Sequence, residues 1–189
     1  MTLEEIAGAV HAALDKPDLA LTRCILATRV LIEAASAFGF AARPEVVSVL
    51  AANRPAYDLI RQGVLPADWP PQAWSVGVVA GVPGRDRNGF DGHLVAVVDG
   101  FLVDCATGQF ARPERGLDVA DAPVVMPIPD GWYEHRAPLT VTCGYGEDWV
   151  SVLEYEKGRV PVEFRHAPDW KHRYRSYAGE AIRSLRGAL

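Results

Sequence analysis

The sequence has little cysteine and no metal-binding pattern. Its 189 residues contain only three cysteines, Cys24, Cys105 and Cys143, which lie far apart and form no Cys-x-x-Cys pair. An odd number of cysteines without a secretory signal indicates reduced thiols rather than a disulfide framework. The five histidines show no zinc-binding spacing, so we expect neither a structural metal nor a cofactor.

An excess of basic charge and long apolar runs are also absent. The formal net charge of -5 disfavours general nucleic-acid binding, because neutralising phosphates requires a basic surface. The first residues, Met-Thr-Leu-Glu-Glu, do not resemble a signal peptide. Arg29 and Glu33 interrupt the longest apolar run, which is therefore too short to cross a bilayer. These absences predict a cytoplasmic protein that contacts neither nucleic acid nor membrane.

The composition and the order of elements predict one α+β domain over residues 1–189. Apolar residues make up 49% of the chain and charged residues 23%, as in ordinary globular domains. Thr2 begins a capping-box pattern, which predicts a first helix to about Leu14, before Pro17. A second helix is predicted between an N-cap at Thr22 and a C-terminal Gly39. Its apolar positions recur at helical spacing: Ala27, Val30, Leu31, Ala34, Ala35 and Phe38.

The rest of the chain is predicted to form mainly strands. Apolar β-type segments lie at 46–50, 74–80, 93–98, 101–104, 124–128, 139–143 and 149–155. A short helix is predicted at 56–61, and Asp169 is expected to cap a last helix. The glycine-rich, charged segment before His93 predicts a surface loop. It is read either as a substrate-gating loop or as a simple connection. Helices first, then strands, then a helix is an α+β arrangement.

The segment 92–108, GHLVAVVDGFLVDCATG, carries the most specific signal. Asp99-Gly100 between two apolar runs predicts a two-residue turn and so fixes the strand register. In that register His93 and Asp104 are diagonal neighbours on one face, within reach of each other. Cys105 must then point to the opposite face. The hairpin thus predicts an imidazole oriented by a carboxylate, which is half of a nucleophilic site.

Cys24 is the thiol best placed to complete this site. Cys105 is excluded by the strand alternation, and nothing near Cys143 in the sequence would activate it. Cys24 follows the predicted cap in the first turn of a helix, where free N–H groups and the helix dipole favour a thiolate and an oxyanion. Each residue alone also has a simpler explanation, since Cys24 fits a core, His93 a polar strand end and Asp104 a turn. The three together favour catalysis.

These residues resemble the transglutaminase-like branch of the papain-like cysteine enzymes. In that family a cysteine opens a helix that leads through a phrase like Gly-Ile-Pro-Ala-Arg into a strand. Here the corresponding stretch, residues 24–43, reads CILATRVLIEAASAFGFAAR. The family then has a strand that begins with histidine, a tight turn, and a strand that ends in aspartate. Here residues 93–107 read HLVAVVDGFLVDCAT. The match covers about the middle half of the chain.

The resemblance implies a papain-like (transglutaminase-like) core, with a central helix that carries Cys24 packed on an antiparallel sheet. It assigns Cys24 as the nucleophile, His93 as the general base and acid, and Asp104 as the orienting carboxylate. The implied activity is that of a hydrolase or acyltransferase acting on an amide, ester or thioester. The substrate would be a peptide, a protein or a small acyl compound, and no cofactor is implied.

Departures from the family pattern keep other functions open. The Gly-x-Cys-Trp-like context of the family is absent, and no Trp, Tyr, Phe or Gln precedes Cys24 to complete an oxyanion hole. This favours, as an alternative, an inactive domain of the same fold that binds a partner protein. Arylamine N-acetyltransferases share the triad and the hairpin, but their Arg-Gly-Gly-x-Cys phrase is missing. A zinc hydrolase lacks the ligand spacing.

Overall fold

The computed structural model describes residues 1–16, 23–80, 92–119, 122–135, 138–143, 151–157 and 170–188. These form helices and an antiparallel sheet, which confirms the α+β class. The helices are α1 (Leu3–Leu14), α2 (Arg23–Ala37), α3 (Arg54–Arg61), α4 (Trp132–His135) and α5 (Trp170–Gly187). The strands are β1 (Ala42–Asn53), β2 (Ser75–Val78), β3 (His93–Val98), β4 (Phe101–Asp104), β5 (Val124–Pro127), β6 (Leu139–Cys143) and β7 (Ser151–Lys157).

The first two helices contain the features that their sequences predict. At the start of α1, Thr2 Oγ1 accepts from the Glu5 N–H at 3.2 Å, and Glu5 Oε2 accepts from the Thr2 N–H at 2.6 Å. This confirms the capping box. Five of the six apolar positions predicted for α2 are buried, and Phe38 is half-buried. Gly39 follows α2 with φ of 88°, a left-handed conformation typical of a helix end. The predicted cap Thr22 lies outside the described residues.

The long strand β1 organises the sheet, whose order is β5-β4-β3-β1-β7-β6. Along one edge, β1 pairs with β3 over its first half and with β2 over its second half. Along the other edge it pairs with β7. All these pairings are antiparallel. β1 therefore joins the hairpin that carries His93 to the hairpin formed by β6 and β7.

Each face of the sheet carries its own hydrophobic core. Helices α1, α2 and α5 pack together on one face, where residues of α2 contact β3, β4 and β1. We call this the helical face. The other face is covered by Phe110, Leu117, Val119 and Trp132, which pack on strand residues such as Tyr155. Because residues alternate along a strand, successive side chains point to opposite faces, and the buried ones join the core on their own face.

Several boundaries differ from the sequence prediction. β1 extends from Ala42 to Asn53, beyond the predicted 46–50, because its polar start still pairs with β3. β2 is shorter than the predicted 74–80, and α4 was not predicted. α5 begins at Trp170, but the expected cap Asp169 lies outside the described residues, as do 84–91 of the expected gating loop. Among the helices within the described ranges, none is long and apolar enough to cross a membrane.

Candidate functional site

The hairpin of β3 and β4 has the predicted turn and register. Asp99 and Gly100 have φ of 45° and 85°, so both turn residues are left-handed, as a tight two-residue hairpin turn requires. Val98 faces Phe101, and the remaining β3–β4 pairs follow in order. The register therefore brings the first residue of β3, His93, close to the last residue of β4, Asp104.

His93 and Asp104 form a buried hydrogen-bonded pair. His93 Nε2 lies 2.8 Å from Asp104 Oδ2, and each residue is 1% exposed. The same carboxylate oxygen accepts from the Tyr155 hydroxyl at 3.0 Å. The other oxygen accepts from the Ala106 N–H at 2.8 Å. Asp104 is thus held by three donors, which fixes the orientation of the imidazole.

By the alternation of side chains along their strands, His93 and Asp104 point to the face of the sheet that lies away from the helices. Val95 on β3 and Leu102 on β4 belong to that core, and His93 and Asp104 alternate in step with them. Cys105 points to the opposite face, as predicted; this is the helical face, where its Sγ is 3.7 Å from the Ala7 carbonyl oxygen. Burial and then the charge of Asp104 raise the pKa of the Cys105 thiol. Cys105 is therefore an inert core thiol.

Cys24 is the second residue of α2, and its side chain is partly exposed. The His93 ring and the Leu94 backbone both lower the pKa of its thiol, so both groups lie next to it. One helical turn later, the buried Thr28 donates from Oγ1 to the Leu94 carbonyl oxygen at 2.9 Å. This hydrogen bond ties the start of α2 to the start of β3. The structure therefore brings together the three residues that the sequence singled out.

The electrostatics of the pair favour a thiolate and an imidazolium. Burial raises the pKa of Cys24, but the hydrogen bond and charge of His93 and the hydrogen bond with Leu94 lower it more, so that it falls below its ordinary value. Burial lowers the pKa of His93, but the charge and hydrogen bond of Asp104 and the contact with Cys24 raise it to about 10. Each member of the pair thus stabilises the charged form of its neighbour.

Gln109 and Phe110 complete the surroundings of the imidazole. Nε2 of Gln109 lies 2.8 Å from Nδ1 of His93, the ring nitrogen that Asp104 does not contact. The Phe110 ring meets the imidazole edge-on, with centroids 5.1 Å apart. Both residues belong to the short 3-10 helix Thr107–Phe110 that follows β4. The ring of His93 is therefore constrained at both nitrogens and along its edge.

Sequence reasoning missed four residues at the site: Thr28, Gln109, Phe110 and Tyr155. Thr28 carried a signal, because it is a polar residue at i+4 from Cys24 within the apolar stretch of α2. Gln109 lies on a turn and Tyr155 on a distant strand, and neither stands in a recognisable pattern. No cluster of three or more metal-ligating side chains occurs within the described parts of the chain.

The fold and the site together define an α+β protein with a buried His–Asp pair next to a helix-start thiol. Comparison of the chain with protein-family models, curated proteins and solved structures found no match. The features of the chain that bear on its function are therefore the geometry of Cys24, His93 and Asp104 and the resemblance of their local sequences.

Gly92, directly before His93, is expected to tolerate no side chain. Its φ is 136°, and a Cβ would lie 2.8 Å from Val46 Cγ1. Gly92→Ala should destabilise the protein by about 2–4 kcal/mol through backbone strain and overpacking. Urea unfolding of this variant, beside Gly8→Ala in α1, where a Cβ meets nothing within 4 Å, measures the effect. Equal stability of the two variants would contradict this account of Gly92.

Proposed function

We propose that the protein is a thiol-dependent hydrolase or acyltransferase with a transglutaminase-like, papain-like core. The observation that carries the proposal is the buried pair of His93 and Asp104 within reach of the Cys24 thiol. The substrate would be an amide, ester or thioester of a peptide, a protein or a small acyl compound. The order of the residues, with the helix-start cysteine before the strand histidine and aspartate, supports the resemblance.

The reaction begins with attack of the Cys24 sulfur on the carbonyl carbon. The carbonyl π electrons move to oxygen and form an oxyanion. When the oxyanion collapses, the bond to the leaving amine, alcohol or thiol breaks, and the imidazolium of His93 donates its proton to that group. The product of this half-reaction is an acyl-enzyme in which the acyl group is a thioester of Cys24.

The second half-reaction restores the pair of Cys24 thiolate and His93 imidazolium. His93, now neutral, takes a proton from an incoming water or amine as that nucleophile attacks the thioester. Collapse of the second oxyanion expels the Cys24 thiolate, and the acid or amide product leaves. Asp104 keeps the imidazole in the correct tautomer and stabilises its positive charge in both half-reactions. Water as acceptor gives a hydrolase, and an amine gives an acyltransferase.

The reactivity of Cys24 tests the proposal directly. Peptide mass spectrometry would follow alkylation of Cys24 by iodoacetamide as a function of pH. The wild-type thiol should titrate below the free value of about 8.5, because an imidazolium stabilises the thiolate. In His93→Ala the apparent pKa should rise towards or above that value. His11→Ala, a change of a histidine on α1, is the matched control and should leave the profile unchanged.

Cys105 supplies an internal reference in the same experiment. Cys105 is buried with a raised thiol pKa and should react only after unfolding. If Cys24 behaves in the same way, it is a core residue and the catalytic proposal is wrong. A protein-binding role for the domain would then be the next hypothesis to test. If Cys24 is reactive but the pH profile of its alkylation is the same in His93→Ala, the result would also contradict the proposed pair of Cys24 and His93.

A further inference from the structure

Nδ1 of His93 has two candidate partners. Asp104 engages Nε2, so Nδ1 is the nitrogen left to exchange a proton with the Cys24 thiol. In the structure, however, the carboxamide Nε2 of Gln109 lies 2.8 Å from that nitrogen. With the pKa of His93 raised, Nδ1 carries a proton, and this single N–H can donate either to the carboxamide of Gln109 or to the Cys24 thiolate. Gln109 and Cys24 therefore compete for His93.

The backbone of Gln109 is fixed while its side chain is half-buried at the end of the turn. Its N–H donates to the Ala106 carbonyl oxygen at 3.3 Å, and Ala106 itself donates to Asp104. Arg112 Nη1 donates to the Gln109 carbonyl oxygen at 2.9 Å. The turn is thus built onto the same carboxylate that orients His93. Only rotation about side-chain bonds is needed to move the carboxamide away from Nδ1.

We infer that Gln109 is a catalytic carboxamide that blocks Nδ1 of His93 in the free protein and turns to donate its N–H to the substrate oxyanion. The inference rests on the proposed function and extends it to the regulation of the site. When a carbonyl oxygen draws the amide away, the Nδ1–H of the imidazolium becomes free to hydrogen-bond to the Cys24 thiolate. Activation of Cys24 is thereby coupled to the presence of an acyl substrate.

This role also fits a sequence in which no Trp, Tyr, Phe or Gln stands before Cys24. A carboxamide N–H is one of the side-chain groups that stabilise tetrahedral oxyanions. Gln109 contacts the imidazole nitrogen that serves the thiol, so its amide lies beside the atoms that react. The substrate class that fits is any compound whose carbonyl oxygen accepts a hydrogen bond, namely an amide, ester or thioester.

Two reactions of Cys24 with opposite requirements test the inference. Alkylation by iodoacetamide forms no oxyanion, whereas acylation by 4-nitrophenyl acetate does. Gln109→Met keeps the length of the side chain and removes its donor. At pH 6.5 alkylation should rise about fivefold, the equivalent of one neutral hydrogen bond. Acylation should fall about 10²-fold, as expected for loss of an oxyanion donor.

Opposite changes in the two rates distinguish this role from a structural one, which would lower both. Gln62→Met, at an exposed position after α3, is the matched control and should change neither rate. Gln109→Ala repeats the test if the methionine variant does not fold. If Cys24 is activated in the wild type but both rates stay unchanged or fall together in Gln109→Met, the inference about Gln109 is wrong and the proposed function stands. An inert Cys24 in the wild type would overturn the proposed function and this inference with it.

Discussion

Asp104→Asn is expected to lower the rate of Cys24 acylation by about 10³–10⁴-fold while the fold persists. The expectation follows from the hydrogen bonds of the carboxylate. Asp104 Oδ2 accepts from both His93 and Tyr155, and its other oxygen accepts from Ala106. An asparagine is isosteric but carries a donor at one of these two positions. One contact in the cluster must therefore change from acceptor to donor.

The change reverses the tautomer of the imidazole. If the asparagine keeps its oxygen on Ala106, its NH2 group donates to Nε2 of His93 and places the ring proton on Nδ1. A neutral ring with a proton on Nδ1 cannot take the proton of the Cys24 thiol. If the amide turns over, its NH2 group meets the N–H of Ala106 instead, which leaves two donors in contact. Neither arrangement preserves an oriented base for Cys24.

Acylation by 4-nitrophenyl acetate and the pH profile of alkylation both report this loss. In Asp104→Asn the apparent pKa of Cys24 should rise towards the free value of about 8.5, since the imidazolium loses its carboxylate. Glu45→Gln is a suitable control, because Glu45 is a buried carboxylate on β1 that pairs with Arg43 and not with the site. A variant Asp104→Asn that is folded and fully active would show that Asp104 does not orient His93.

The elements that could be predicted from the sequence are those set by local chemistry. The capping box at Thr2 involves atoms three residues apart, and the structure contains it as predicted. The Asp99-Gly100 turn fixes every pair of the β3–β4 hairpin, and with it the meeting of His93 and Asp104. In each case the interacting residues are close in sequence, so their geometry is determined by local hydrogen bonds and backbone preferences.

The parts that could not be predicted depend on pairings between distant segments. Tyr155 reaches Asp104 only because β7 pairs with β1 on the side opposite β3, and no local pattern specifies that order. The contact of Gln109 with His93 depends on a 3-10 turn whose conformation follows from packing of Phe110 in the core. The alternation of side chains along β3 was predicted correctly. Whether the His–Asp pair lies on the face with the helices or on the other face depends on where the helices pack.

Cys24→Ala is expected to make the stability of the protein strongly dependent on pH. In this variant the free energy of unfolding should fall by up to about 1.4 kcal/mol per pH unit between pH 6.5 and 8.5. The wild type should show a shallower change over the same interval. Urea unfolding of both proteins at pH 6.5, 7.5 and 8.5 measures the difference, which should accumulate to about 2–3 kcal/mol at the highest pH.

The sign follows from the opposite pKa shifts of the two partners. The pKa of His93 is raised to about 10, so its stabilising contribution is present below the ordinary value of 6.5 and is lost as the pH rises towards the folded value. The pKa of Cys24 is lowered, so its contribution is present above about 8.5 and is lost as the pH falls towards its folded value. Between about pH 6.5 and 8.5, folding therefore binds a proton at His93 and releases one at Cys24.

The wild type therefore shows little net proton exchange on folding in this window, whereas Cys24→Ala keeps only the uptake by His93. Loss of Cys24 also removes one contribution to the raised pKa of His93, but Asp104 remains, so the sign is unchanged. Cys105→Ala should lower stability by a similar amount at pH 6.5 and 7.5, because the buried thiol has a raised pKa and is protonated in both the folded and the unfolded protein below about pH 8.5. Parallel pH profiles for the wild type and Cys24→Ala would mean that the thiol and the imidazole do not share their proton.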